Sequence, residues 1–397
     1  MRIALAVEGT WGDVYPMLAL GSAFLARGHE VLICATPDFE SEVRAHDLEF
    51  VPVGHNVHEF LAGQAAAVAR GGRAALREAT RWLRGSIESQ LRALPSATQG
   101  ADLILGAGLQ IGARSAAELH GVPYRYVMYC PGLLPSADHP PMMLPVPSLP
   151  RWINWLGWWL AIACLDRWFR SAINRERARL GLCSVGSVYH HLASDRPVLA
   201  ADPELAPLPA DCPIPVDRIG CLHPTEGTPL PAKLESFLEA GPPPVYLGFG
   251  SMTDPDPRAT TGSILEAIER SGCRAILSRG WSGLGDGALP EGVFATGSVS
   301  HAALFPRVAA VVHHGGAGTT TTAARAGVPQ IVVPHVADQF YWAQQVARLG
   351  LGPGAIPRRR FGAESLLATL SATLDNEFLI ERASALAARL RTHSLRD

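Results

Sequence analysis

Residues 313–351, HHGGAGTTTTAARAGVPQIVVPHVADQFYWAQQVARLGL, leave few folds open to this chain. Ahead of them the apolar run Ala309-Ala310-Val311-Val312 fits a buried strand. It meets the turn His313-His314-Gly315-Gly316-Ala317-Gly318, and Thr319 to Arg325 then has helix-compatible composition. Strand, glycine-rich turn and helix N-terminus in that order make an anion site. Glycines let backbone approach closely, and the unpaired N–H groups of the helix start converge on one point. Gly327-Val328-Pro329 ends the helix, and Gln330 to Val333 reads as the next strand. Past it lies Asp338-Gln339, a carboxylate beside an amide, suited to gripping adjacent hydroxyls. Phosphate at one strand end and polyol at the next indicate a nucleotide-sugar site.

The rest of the chain repeats the alternation. Runs Arg2–Val7, Val31–Cys34, Leu48–Val53, Asp102–Leu105 and Tyr124–Tyr129 read as strands separated by helices, including residues 65–94. A second series holds strands at Val245–Phe249, Arg274–Leu277 and Val293–Ala295 before the signature. Strand–helix alternation predicts parallel α/β sheets with helices on both faces and ligands outside the carboxyl ends of the strands. At 397 residues the chain is long for one core and comfortable for two. The proline-dense stretch Pro197–Pro231, without periodicity, places the division near residue 225. The expected domains are 1–225 and 226–377, with 378–397 as a C-terminal helix.

A net charge of −2 and no basic run exclude a nucleic-acid footprint. Seven scattered cysteines without a C-x-x-C pair indicate reduced thiols and a cytoplasmic setting. Asp254-Pro255-Asp256 contains a D-x-D but lies among prolines and reads as a turn. Trp152–Leu165, WINWLGWWLAIACL, is too short for the ~20 residues that span a bilayer. Three places stay open for it: core, acceptor pocket or peripheral contact with a membrane surface. A separate charged helix is expected from Asp166 to Leu180.

The glycine-rich turn, the following proline and the Asp-Gln pair together resemble the donor-binding signature of family 1 glycosyltransferases with the GT-B fold. Bacterial antibiotic (vancomycin-type), sterol and rhamnolipid glycosyltransferases have similar segments. The resemblance implies two Rossmann-like parallel-sheet domains facing each other across a cleft, with the last helix crossing back to the N-domain. It implies an enzyme that takes a UDP- or dTDP-sugar and a lipophilic acceptor, with inversion at the sugar and no metal or other cofactor.

Gly315, Gly316 and the amides of Ala317, Gly318 and Thr319 would meet the growing charge of the leaving group. His313 resembles the family's phosphate contact, His314 ranking behind it because only one of two neighbours faces a ligand. Ser251 resembles a second phosphate contact. Ser298-Val299 matches the segment that reads the base, and Arg279-Gly280-Trp281 the segment lining its pocket. Asp338 and Gln339 would hold the sugar. Glu8-Gly9-Thr10-Trp11-Gly12-Asp13 resembles the G-[ST]-x-G-D turn of bacterial members, whose aspartate is the proposed general base. Thr10, Trp11, Trp155 and Trp159 fall to the acceptor. Each residue has a plainer alternative: Asp13 as a helix cap, His313 as a satisfied strand-end histidine, Trp281 as core, the Asp-Gln pair as loop capping. Two other functions stay open: a non-catalytic nucleotide-sugar-binding partner, and a hydrolase or epimerase on the same fold. Acceptor, sugar, base and oligomeric state have no signature in the chain.

Overall fold

A computed structural model of the chain describes residues 1–61, 63, 72–142, 144, 149–222 and 229–393. The chain forms two compact units. The division expected near residue 225 falls outside the described residues, as do residues 65–71 of the long helix expected after the third strand.

The first unit is built on a seven-stranded sheet in the order β3-β2-β1-β4-β5-β6-β7. Its strands are β1 (Arg2–Glu8), β2 (Glu30–Ala35), β3 (Glu49–Pro52), β4 (Leu103–Gly108), β5 (Tyr124–Met128), β6 (Val198–Ala200) and β7 (Asp217–Ile219). All pair in parallel. In β1 every residue from Ile3 to Glu8 is buried, as a central parallel strand covered on both faces requires. Its principal helices are α1 (Trp11–Ala26), α2 (Gly72–Ala97), α3 (Ala113–His120) and α4 (Arg151–Arg179). One core lies between the sheet, α2 and α3 around Ala4, Leu32, Leu94 and Ile104; another joins α2 to α4 through Ile87, Leu91, Phe169 and Ile173. The expected break between the tryptophan-rich segment and the charged helix is absent: α4 runs unbroken for 29 residues. Nothing between Leu165 and Asp166 interrupts a helix, since neither glycine nor proline intervenes.

The second unit holds a five-stranded parallel sheet in the order β10-β9-β8-β11-β12. The strands are β8 (Val245–Gly248), β9 (Ala275–Ser278), β10 (Val293–Thr296), β11 (Ala310–His313) and β12 (Gln330–Val332). Its helices include α5 (Pro257–Ser271), α6 (Ala317–Ala326), α7 (Gln339–Arg348), α8 (Ala363–Leu374) and α9 (Glu377–His393). This sheet too is covered on both faces. Val245, Leu247, Val312 and Ile331 face one core with α5 and α8, while Tyr246, Ile276 and Val311 face another with Phe305 and Val328. The segment Asp202–Pro207 belongs to this unit. Asp202 receives both Nε (3.1 Å) and a terminal nitrogen (2.8 Å) of Arg325 at the end of α6. Helix α9 packs on α6, with Ala387 and Ser384 against Gly327. Its crossing to the first unit stays an expectation of the resemblance.

Candidate functional site

Both sheets have a switch point where chain order reverses, between β1 and β4 in the first unit and between β8 and β11 in the second. At such a point the flanking connections leave in opposite directions and open a crevice at the carboxyl ends of the strands. The chemistry-bearing residues of each unit collect there.

In the first unit the turn after β1 carries Asp13. Thr10 is the N-cap of α1 and Asp13 its third residue, so the two form a capping box. The Thr10 N–H donates to Asp13 Oδ2 at 2.9 Å, and Tyr129 Oη donates to the Asp13 carbonyl at 2.9 Å. Gly9 makes the close approach possible: a Cβ there would collide with the Asp13 carboxylate. The other carboxylate oxygen lies over Gly108, at the end of β4. Asp13 is half-buried. Loss of hydration pushes its pKa up to about 6, with hydrogen bonds from Thr10 pulling the other way. Capping and a base-like pKa therefore coexist in one side chain. Trp11 is half-buried, stacked on Tyr15 at 4.8 Å and edge-on to Phe39 at 4.6 Å.

Sequence reasoning missed the group directly behind this turn. Glu8 is wholly buried at the end of β1. Its carboxylate accepts from Ser86 Oγ and from Gln90 Nε2 (2.6 Å), both on α2. Gln90 Nε2 also donates to the Leu109 carbonyl (3.0 Å), while its Oε1 accepts from the N–H groups of Ile111 and Gly112, each at 2.9 Å. One glutamine thus ties the ends of β1 and β4 to α2. Burial pushes the Glu8 pKa up to about 7, against the two hydrogen bonds.

Trp155 and Trp159 stand on the exposed side of α4. They are 44% and 66% exposed along one outward face, whereas Trp158 is buried, its Nε1 donating to the His139 carbonyl at 3.1 Å.

In the second unit the loops after all five strands reach the same sheet edge, since every strand runs the same way. Ser251 follows β8 and is buried. Arg279 and Trp281 follow β9; the Trp281 N–H donates to the Gly250 carbonyl at 3.0 Å, and Arg279 is exposed and pairs with Asp286. Ser298, exposed, and Val299, packed on the core, follow β10. After β11, Gly316 caps α6, and the helical ladder opens with the Thr320 N–H donating to the Gly316 carbonyl (2.9 Å). The N–H groups of Ala317, Gly318 and Thr319 stand outside that ladder, at the positive end of the helix. Gly318 has open space above it.

Two expectations need correction here. His313 is wholly buried and both ring nitrogens are engaged: Nε2 with Gln330 Oε1 at 3.0 Å, and Nδ1 accepting the Gly315 N–H at 3.0 Å. Gly315, at φ 92°, bends the chain so that its N–H reaches the ring. Burial lowers the His313 pKa to about 4, so the ring is neutral and fastens the loop from inside. The ring turned toward the strand-end loops is His314, half-buried and seated between Gly250 and Gly316. Adjacent residues at a strand end face opposite ways, and the core claims the first. Burial holds the His314 pKa well below the usual imidazole range, with the neighbouring histidines adding to it.

The second correction concerns Gln339. It is buried, its Oε1 accepts from the N–H groups of His335 (2.7 Å) and Val336 (3.0 Å), and its Nε2 meets Met252 Sδ at 3.3 Å. Both ends of the amide are engaged in shaping the loop after β12 rather than turned toward a hydroxyl. Asp338 is half-buried at the start of α7 and accepts from Trp342 Nε1 at 3.2 Å. Asp254 is held by Arg358 (2.7 Å) and Asp256 caps α5, as a turn requires.

Comparison with known proteins fits this layout. The sequence profile of the glycosyltransferase family 28 N-terminal domain matches residues 3–135, and that of the erythromycin biosynthesis protein CIII-like C-terminal domain matches residues 278–394. Glycosyltransferase GtfE of Amycolatopsis orientalis is 39% identical over 99% of this chain and 94% of its own. The vancomycin aglycone glucosyltransferase of the same organism is 38% identical with the same coverage. The sterol 3-beta-glucosyltransferase UGT80B1 of Arabidopsis thaliana is 34% identical over 95% of this chain and 63% of its own. Among solved structures, the glycosyltransferase of kitacinnamycin superposes with a TM-score of 0.71 at 20% identity, over 99% of this chain and 95% of that one. The Streptomyces sp. SF2575 glycosyltransferase SsfS6, complexed with thymidine diphosphate, gives 0.64 at 22%, over 99% and 96%. The chain therefore belongs to the family 1 type glycosyltransferases of the GT-B fold, the group of the vancomycin-type and sterol enzymes.

Proposed function

We propose that this glycosyltransferase moves a sugar from a UDP- or dTDP-sugar to a hydroxyl of a lipophilic small molecule, with inversion and with Asp13 as general base. A natural-product aglycone is the first acceptor class, in keeping with the relative named for vancomycin aglycone, and a sterol or hydroxy-lipid the second. The observation that carries the reading is Asp13 itself: a half-buried carboxylate at a switch point, with a pKa raised to about 6. A base of that pKa is mostly ionised at neutral pH and still accepts a proton readily.

The acceptor hydroxyl gives its proton to Asp13 as its oxygen forms the bond to C1, and the bond from C1 to the diphosphate oxygen breaks with its electron pair leaving on the phosphate. Attack opposite the leaving group inverts the anomeric centre. The new charge on the diphosphate meets the amides of Ala317, Gly318 and Thr319, the Thr319 hydroxyl and the neutral His314 ring. The Gly250-Ser251 turn supplies a further phosphate contact, Asp338 takes sugar hydroxyls, and the segments at Arg279–Trp281 and Ser298–Val299 hold the base. The nucleotide sugar is a substrate, and no metal or resident cofactor takes part.

Calorimetric titration with UDP, dTDP and UDP-glucose, with and without a chelator, tests the donor half. Micromolar binding that ignores the chelator is expected. Binding of none of the three, or binding abolished by the chelator, would overturn the scheme.

A further inference from the structure

Among the described residues, the first three turns of α4 are covered on one side only. Asn154 and Trp158 face the unit, while Trp152, Trp155, Leu156, Trp159 and Leu160 are 44–68% exposed. Positions 152, 155, 156, 159 and 160 share one helical face, and exposed Ala163 and Cys164 extend it. The stripe is about 18 Å long at the usual rise per residue. A contiguous exposed apolar stripe rimmed by polar residues marks an interaction surface.

The charge beside the stripe says what kind of cover. The same exposed face turns basic at Arg167 and Arg170. Helix α2 packs against α4, Arg84 Nε donating to the Trp168 carbonyl at 3.0 Å. Between the two helices lies an open hollow of about 430 Å³ lined by Leu76, Arg77, Thr80, Arg81, Arg84 and Trp168. Among the described residues, three guanidinium groups and no carboxylate line it. Arg77, Arg81 and Arg84 of α2 and Arg167 and Arg170 of α4 are all exposed, in a chain whose formal charge is −2.

We propose that this face docks on the surface of an anionic phospholipid bilayer. The tryptophans and leucines enter the boundary between headgroups and acyl chains, and Arg77, Arg81, Arg84, Arg167 and Arg170 meet lipid phosphates. The helix lies along the membrane, since no described helix is long and apolar enough to cross one. A convex stripe on a helix does not enclose a small ligand, which binds in concave sites. Docking there delivers the enzyme to the phase in which a lipophilic acceptor dissolves.

The test is co-sedimentation of the full chain with phosphatidylcholine vesicles and with vesicles of phosphatidylcholine and phosphatidylglycerol, at low and high salt. Pelleting several-fold stronger on the anionic vesicles, weakened by salt, is expected. Trp155→Glu/Trp159→Glu should abolish it, and Arg77→Glu/Arg81→Glu should reduce it to the level on neutral vesicles, each with an unchanged thermal midpoint. Failure to bind anionic vesicles would overturn the proposal, as would binding by both variants equal to that of the unaltered chain. A concentration-dependent dimer that Trp155→Glu/Trp159→Glu dissolves would instead assign the stripe to a second copy and overturn it too.

Discussion

Glu8 makes the stability of the first unit depend on pH. Its folded pKa of about 7 stands above the ordinary 4.5 because burial penalises the anion. A raised folded pKa means that the folded chain holds the proton longer. The stability it contributes is complete below pH 4.5 and is lost as pH rises through 7, by roughly 3 kcal/mol if the full shift is realised. His191, His301 and His313 act the opposite way. Their folded pKa values, about 3 to 4, lie below 6.5, so their stability is complete above 6.5 and is lost as pH falls. The Glu8→Gln variant removes the opposing gain. Its denaturation midpoint should therefore fall more steeply than that of the wild type between pH 7 and 4.5; parallel curves would show that Glu8 is not held as the structure has it. The turn that bears Asp13 was legible in the sequence because its residues are contiguous. The anchors of Glu8 were not, because Ser86 and Gln90 lie 78 and 82 residues along the chain.

The loop after β11 divides its work between two neighbouring histidines. His313 holds the loop from inside and His314 faces out, a distinction that depends on which ring the core claims rather than on residue type. The His313→Ala variant removes two buried hydrogen bonds and should cost about 2 kcal/mol or more of stability. The His314→Ala variant should keep the fold and weaken nucleoside diphosphate binding by about tenfold, the scale of one lost hydrogen bond to a charged group. Calorimetry with thermal unfolding separates the two, and the reverse pattern would return the phosphate contact to His313. Gln339 was misread for a similar reason. An amide suited to hydroxyls is equally suited to two backbone N–H groups, and those of His335 and Val336 are closer. The short strands β6 and β7 were hidden by proline density and by their three-residue length, too short to show a period. Charge secures the outer one: Asp217 on β7 pairs with Arg125 and Arg196.

At the scale of the molecule, the order of strands is what turns scattered motifs into sites. Hydrophobic runs and glycine punctuation locate the central strands in the chain, and strand–helix alternation makes them parallel. Neither tells which strands neighbour each other, so the two switch points appear only in the folded sheets. Once there, β1 and β4 put Asp13 beside Gly108 at one edge, and β8 and β11 put His314 beside Gly250 at the other. The account rests most heavily on Asp13 as the base. Its most direct test is kcat/KM against pH for the wild type and Asp13→Asn, followed by nucleoside diphosphate release with the best acceptor, alongside donor affinity. A base must be ionised, so the wild type should gain activity as pH rises through about 6 and then level off. The variant should bind donor as before while turnover falls by ~100-fold or more and the acid limb disappears. Undiminished turnover in Asp13→Asn, with the same limb near pH 6, would contradict the account.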